Sequence, residues 1–299
     1  MYKELLKILP AEIIKFNEPM REHTSFKIGG PVDLMVLPQN TEEVIKAAVW
    51  CRRNDVPLFI FGLGSNLLVR EKGIRGVAVK IGHGLDKVVI NGHEITAEAG
   101  ISLADLSLTA AENGLRGLEF AEGIPGSLGG AVVMNAGAYQ GEMKNIVAEV
   151  TVIDAEGNLK SLSNRELNFG YRRTILQNSP LILISVLLQL EPGHREDIKN
   201  RMAGFRQQRQ QKQPLELPSA GSVFRRPEGF YVGPMLEQLG LKGFTIGGAQ
   251  VSEKHAGFIV NIGNATADDV LKLITHIQGL VKQKFDIDLQ TEILVSGEE

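Results

Sequence analysis

The chain is poor in the residues that staple or metallate a protein. One cysteine, Cys51, stands in 299 residues, which excludes a disulfide framework and a cysteine metal cluster alike. The six histidines show no HxxxH or HxH spacing, so no metal site is expected. The longest apolar run, Leu181 to Leu188, is far below the ~20 residues of a membrane span and reads as a buried strand. Met1 to Phe16 interleaves Lys3, Glu4, Lys7 and Glu12 with apolar residues and lacks the apolar core of a secretion signal. Together these absences point to the cytoplasm. An excess of charge of one sign is missing too. A net charge of -3 argues against a nucleic-acid binder that works by bulk charge, though not against a local basic pocket.

What is present fits a globular protein. With 43% hydrophobic and 22% charged residues over this length, the chain forms two domains, or one large domain with an appendage. Its 33 glycines exceed the usual ~7% and gather in a few loops. The densest run is Glu122 to Gly137, with Gly123, Ile124, Pro125, Gly126, Ser127, Gly129, Gly130 and Ala131 in its first half. Such a run is either a tight loop between buried elements or a backbone wrapped so that its N–H groups face an anion. A second loop, Gly62-Leu63-Gly64-Ser65-Asn66-Leu67, follows a strand. It lacks the third glycine of a dinucleotide fingerprint and runs on as apolar Leu67-Leu68-Val69, so a Rossmann fold is rejected. A phosphate contact and a strand-to-strand turn both stay open for it.

Around these loops the pattern is α+β. Val32–Leu37, a helix from Asn40 or Thr41 through Cys51, and Pro57–Phe61 form a β-α-β unit favouring parallel pairing. Strands follow at 76–81, 87–90 and 94–99, with an Asn91-Gly92 hairpin turn. Ser102 and Asp105 cap a helix that ends at Gly114. Val147–Ile153 and Leu159–Leu162 form a hairpin, and Leu181–Leu190 a long strand. Arg195–Gln213 reads as a helix whose Arg206, Arg209 and Gln213 share a face, either solvated or aimed at a diphosphate. Strands are expected at 244–251, 255–261 and 291–295, and Thr266 with Asp269 makes a capping box for a long amphipathic helix. Two glycine loops about sixty residues apart suit a ligand with two linked phosphates, such as a redox dinucleotide.

The order of the motifs goes further. Thr24-Ser25-Phe26-Lys27-Ile28-Gly29-Gly30, Gly62-Leu63-Gly64-Ser65-Asn66, Gly123 to Ala131, Gly170-Tyr171-Arg172, Ala220-Gly221-Ser222-Val223-Phe224 and Gly248 to Asn261 resemble, in one order over essentially the whole chain, the UDP-N-acetylenolpyruvoylglucosamine reductase family, in its short second type. The resemblance implies a vanillyl-alcohol-oxidase-like (PCMH-type) FAD domain over residues 1–205, in two α+β subdomains of about 1–80 and 81–205, and an α+β substrate domain over 206–299. It implies non-covalent FAD on the two glycine loops. Hydride passes from NADPH to flavin N5 and then to C3 of UDP-N-acetylglucosamine enolpyruvate, with a proton added at C2, giving UDP-N-acetylmuramate for peptidoglycan. Arg172 would grip the substrate carboxylate, Ser222 would give the proton, and Glu292 would act near the same carbon. Arg206, Arg209, Lys254 and His255 are carried as substrate contacts, with a core role open for His255. The partners implied are the two small-molecule substrates, with no nucleic acid, membrane insertion or obligate protein partner.

Overall fold

The computed structural model describes residues 2–299, so Met1 of the expected N-terminal amphipathic stretch lies outside the described residues. The chain forms two compact units. Unit 1 holds the residues up to Phe16, Leu34–Leu63 and Gly76–Gln208, and unit 2 holds Asn17–Asp33, Gly64–Arg75 and Arg209–Glu299.

Unit 1 is built on a five-stranded sheet in the order Leu159–Ser163, Val147–Ile153, Ile182–Gln189, Glu94–Glu98, Val88–Asn91, antiparallel throughout. Alternate residues Ile95 and Ala97, Val150 and Val152, Val186 and Leu188 are buried, because successive side chains of a strand point to opposite faces. The core they enter also takes Leu103 and Leu106 of the helix Leu103–Glu112. Ser102 caps that helix, accepting from Asp105 N at 3.0 Å, and Gly114 beyond its end sits at φ +68, as the sequence predicts.

The β-α-β reading is right in its elements and wrong in its pairing. Pro31–Val36, the helix Thr41–Arg53 capped by Asn40, and Leu58–Phe61 are all present. The strand Ile74–Lys80, however, lies between the two flanking strands in the order Ile14–Pro19, Pro31–Val36, Ile74–Lys80, Leu58–Phe61. It pairs parallel to Leu58–Phe61. Its consecutive Val77, Ala78 and Val79 are fully buried, the composition of a strand covered on both faces, which is why it takes an inner position. Cys51, on the buried face of the helix, has its thiol pushed up to about 12 by desolvation.

Unit 2 packs the helix Ala267–Phe285 on the antiparallel sheet Ser219–Ser222, Phe258–Asn261, Ala249–Val251, Thr245–Ile246. The capping box is formed: Asp269 N donates to Thr266 Oγ1 at 3.1 Å, and Thr266 N to Asp269 Oδ2 at 3.0 Å. Leu273 and Ile277 of this helix share a core with Leu236, Leu68 and Phe26. Phe26 is wholly buried, which explains its motif as a structural strap; full burial of such a ring stabilises by about 1.5–3 kcal/mol. Residues 244–251 are a hairpin rather than one strand. It turns at Gly247, φ +55, and Gly248 N donates to Asp269 Oδ2. The last strand is Leu294–Ser296, parallel to Leu67–Val69, so Glu292 precedes it instead of lying on it. Among the described residues no helix is long and apolar enough to cross a membrane.

Candidate active site

In unit 1 the glycine-rich stretch is less a loop than a loop feeding a short helix. Leu128–Val133 is helical, with Ser127 as its cap. Leu128 N donates to Ile101 O, Gly129 N to Ala99 O and Ala131 N to Ser127 O, each within 3.0 Å. Gly130 N donates to Ser127 Oγ at 3.4 Å. The N–H groups of Gly129, Gly130 and Ala131 are therefore spent inside the protein. Those of Gly123, Gly126 and Ser127 meet no acceptor among the described residues, and neither does that of Leu63 on the first loop. The two loops touch: a Cβ at Gly62 would collide with Ser127 Oγ. A Cβ at Gly129 would stand 3.0 Å from Ala99 Cβ, whereas one at Gly130 would meet nothing closer than Ser127 Oγ at 3.6 Å. Of that glycine pair, the first is the more tightly packed.

The end of the same stretch holds Arg172. Gly170 N donates to Arg173 O at 2.8 Å and Arg173 N to Gly170 O at 3.2 Å, closing a tight turn in which Arg172 has φ +53. Arg172 is half-buried and its guanidinium lies 5.1 Å from the centre of the Tyr171 ring. Arg173 is exposed and folds back over Gly170, its Nε 3.3 Å from where a Cβ would be. Sequence reasoning missed the residues that brace this turn. Asn135 Nδ2 donates to Gly170 O at 3.0 Å, Thr174 Oγ1 to Val133 O at 2.8 Å, and Gln177 Nε2 to Arg172 O at 3.0 Å. The one signal was an asparagine, a residue that tolerates positive φ, closing a glycine run; Asn135 sits at φ +44.

Arg206 donates from Nε to Glu122 Oε1 at 2.7 Å, and Glu122 is 7% exposed. Its position on the helix Arg195–Lys212 is beside the entry to the glycine-rich stretch, where Tyr139 and Phe205 also stack, centroids 4.1 Å apart.

Unit 2 gathers the other candidates. Ser222 ends the strand Ser219–Ser222 and is exposed. Glu292 is held at its backbone from two sides: its N donates to Val223 O at 2.7 Å, and its C=O accepts from Asn66 Nδ2 at 3.0 Å. Leu294 N also donates to Asn66 O. The asparagine of the first glycine loop thus ties that loop to the segment carrying Glu292, beside the strand carrying Ser222. Gly64 in this loop has φ +67, and a Cβ there would collide with the His23 carbonyl oxygen. Arg209 is buried and donates from Nη1 to Gln213 Oε1 at 3.5 Å. Lys254 pairs with Glu216 at 3.5 Å. His255 Nδ1 accepts from Gly257 N at 3.0 Å, and its ring stands edge-on to Phe258, the cross-strand partner of Ser222. Burial holds its pKa below the usual histidine value, and the ring is half-buried.

Comparison with known proteins places this arrangement. Residues 32–163 match the FAD binding domain model and residues 213–296 the model of the UDP-N-acetylenolpyruvoylglucosamine reductase C-terminal domain. The fold is an α+β FAD-binding fold of the vanillyl-alcohol-oxidase (PCMH) type joined to an α+β C-terminal domain. Reductases of that name from Syntrophomonas wolfei and Caldanaerobacter subterraneus are 58% and 51% identical to the chain. The first alignment spans 100% of both chains; the second spans 99% of this chain and 98% of the relative. The crystal structure of the Thermus caldophilus reductase superposes with a TM-score of 0.82 at 33% identity, covering 94% of this chain and 97% of its own. The chain belongs to the UDP-N-acetylenolpyruvoylglucosamine reductase family.

The residues present fit an FAD diphosphate. Backbone N–H groups that meet no acceptor among the described residues line both glycine loops, and nothing bulkier than a hydrogen is accommodated where the loops meet at Gly62. A test follows from that contact. Gly62→Ala should lower FAD affinity roughly 10–100-fold, because overpacking costs about 1–3 kcal/mol. Ser127→Ala should cost about 1 kcal/mol as a lost helix cap. The double variant should bind FAD better than Gly62→Ala alone, since the nearest remaining Ser127 atom, Cβ, lies 3.3 Å away. Fluorescence titration of the apoprotein reads this out; strictly additive losses would mean the two loops are not coupled there.

Proposed function

We propose that the chain reduces UDP-N-acetylglucosamine enolpyruvate to UDP-N-acetylmuramate, with NADPH as hydride source, in cytoplasmic peptidoglycan precursor synthesis. The observation that carries this reading is the 58% identity to a reductase of that name over all 299 residues. FAD, when bound, would supply a two-electron hydride carrier between NADPH and C3 of the enolpyruvyl ether. The C2–C3 double bond becomes single, C2 takes a proton, and NADP⁺ leaves.

The chain's own residues supply the rest. Backbone N–H groups of Leu63, Gly123, Gly126 and Ser127 hold the diphosphate, while Gly62, Ile124, Pro125, Gly129, Gly130 and Ala131 shape the loops that present them. Hydride addition beside a carboxylate pushes negative charge onto it, and Arg172, always charged and able to make two parallel bonds, stabilises that charge. Ser222 gives the proton to C2, and Glu292 orients the substrate or a water at the same carbon. Arg206 serves through its pair with Glu122, and Arg209 and Lys254 serve the nucleotide diphosphate. Residues 1–205 serve the cofactor, and 206–299, with Arg172 from the first part, serve the substrate.

The purified protein should be yellow, bleach with NADPH under anaerobic conditions, and regain its colour when the enolpyruvyl substrate is added. A colourless protein that cannot be reconstituted with FAD would end this reading.

A further inference from the structure

Arg172 occupies a backbone conformation that a non-glycine residue avoids, φ +53. Residues held this way are strained and persist only where their surroundings over-determine them. The surroundings here are three consecutive residues at the end of the glycine-rich stretch. Val133 takes a bond from Thr174 Oγ1 through its carbonyl, at 2.8 Å. Met134 takes one from Gln177 Nε2 on its sulfur, at 2.9 Å. Asn135 gives one to Gly170 O, at 3.0 Å. Gln177 Nε2 gives its other proton to Arg172 O, at 3.0 Å.

The Asn135 amide has no freedom left to adjust. Asn135 is 2% exposed, its second Nδ2 proton goes to Glu142 Oε2 at 2.9 Å, and its Oδ1 accepts from Lys144 N at 3.0 Å. Thr174 is also 2% exposed. Three bonds tie three successive residues of the stretch to Gly170 at the start of the turn and to Thr174 and Gln177 just beyond it, so the turn is held on both sides.

We infer that Gln177, with Thr174 and Asn135, is a positioning residue that locks the Arg172 turn to the glycine-rich cofactor stretch. The guanidinium is then placed by the same element that shapes the cofactor loop. This rests on the reading that Arg172 grips the substrate carboxylate. Gln177 touches neither substrate nor cofactor in this account; it acts through the Arg172 carbonyl. Its loss therefore harms the step that uses the guanidinium and spares the step that does not. A misplacement of about 1 Å in a catalytic group costs on the order of 10²-fold.

The test is anaerobic rapid mixing of the FAD-loaded enzyme. Gln177→Met keeps the side chain's length and removes both donors. It should be reduced by NADPH at the wild-type rate and bind FAD with wild-type affinity, yet reoxidise with the enolpyruvyl substrate roughly 10–100-fold more slowly. On an Arg172→Lys background it should add less than about twofold, since the residues act as one unit. If Gln177→Met melts the protein, Thr174→Val and Thr174→Ser make the same comparison, with reoxidation slow in the first and close to wild type in the second. Equal losses in both half-reactions, multiplicative losses with Arg172→Lys, or wild-type reoxidation would each overturn the inference. Wild-type reoxidation by Arg172→Lys itself would instead remove the carboxylate grip, and the positioning role with it.

Discussion

Ser222→Ala is expected to take hydride from NADPH at the wild-type rate and to reoxidise with the enolpyruvyl substrate roughly 10²–10⁴-fold more slowly, the range for loss of a positioned general acid. The side chain is exposed at the end of its strand, and its hydroxyl has no hydrogen-bond partner among the described residues. Alanine therefore removes no structural contact, and the melting transition should move by no more than about 0.5 kcal/mol in stability, as for an ordinary surface substitution. That separation gives the experiment its force. A hydroxyl is a weak acid and can act only on a strongly basic carbon, which arises once hydride has been added beside the carboxylate; the reductive half-reaction contains no such carbon. Stopped-flow absorbance of the flavin reads both steps in one preparation. Undiminished reoxidation would remove Ser222 as the proton donor.

The segments legible in the sequence are those whose signals are local. The caps at Ser102 and Thr266, the Asn91-Gly92 hairpin and the antiparallel pairing of Val147–Ile153 with Leu159–Ser163 depend on residues a few positions apart. What was not legible depends on distant partners. A Cβ would collide with the His23 carbonyl at Gly64 and with Ser127 at Gly62, and would press on Ala99 at Gly129; none of these neighbours is adjacent in sequence. Within the glycine run, the N–H groups that meet no acceptor among the described residues lie at Gly123, Gly126 and Ser127. The insertion of Ile74–Lys80 between the strands of the β-α-β unit was hidden for the same reason. The candidate chemistry was named from motif order, but the bracing of Arg172 by Gln177 was not, since a glutamine five residues on has no periodic or motif signature.

Arg172→Lys should slow reoxidation by the enolpyruvyl substrate about 10²–10³-fold, the range for removing one preorganised partner of a developing anion. Lysine keeps the charge and loses the planar pair of donors. The substrate carboxylate is charged before the reaction as well as during it, so a point charge still attracts the ground state and KM should rise only modestly. The increment that lowers the barrier comes from charge accumulating on the carboxylate as hydride adds, and only interactions stronger in the transition state raise kcat. The loss should accordingly fall mainly on kcat, with NADPH reduction untouched. Arg173 offers the internal control. It neighbours Arg172 in sequence, yet its side chain lies back over Gly170, turned to its own turn. Arg173→Lys should therefore turn over near the wild-type rate. If the two variants exchanged behaviour, with Arg173→Lys crippled and Arg172→Lys active, the carboxylate grip would belong to the second arginine and the role of the positive-φ residue would be structural alone.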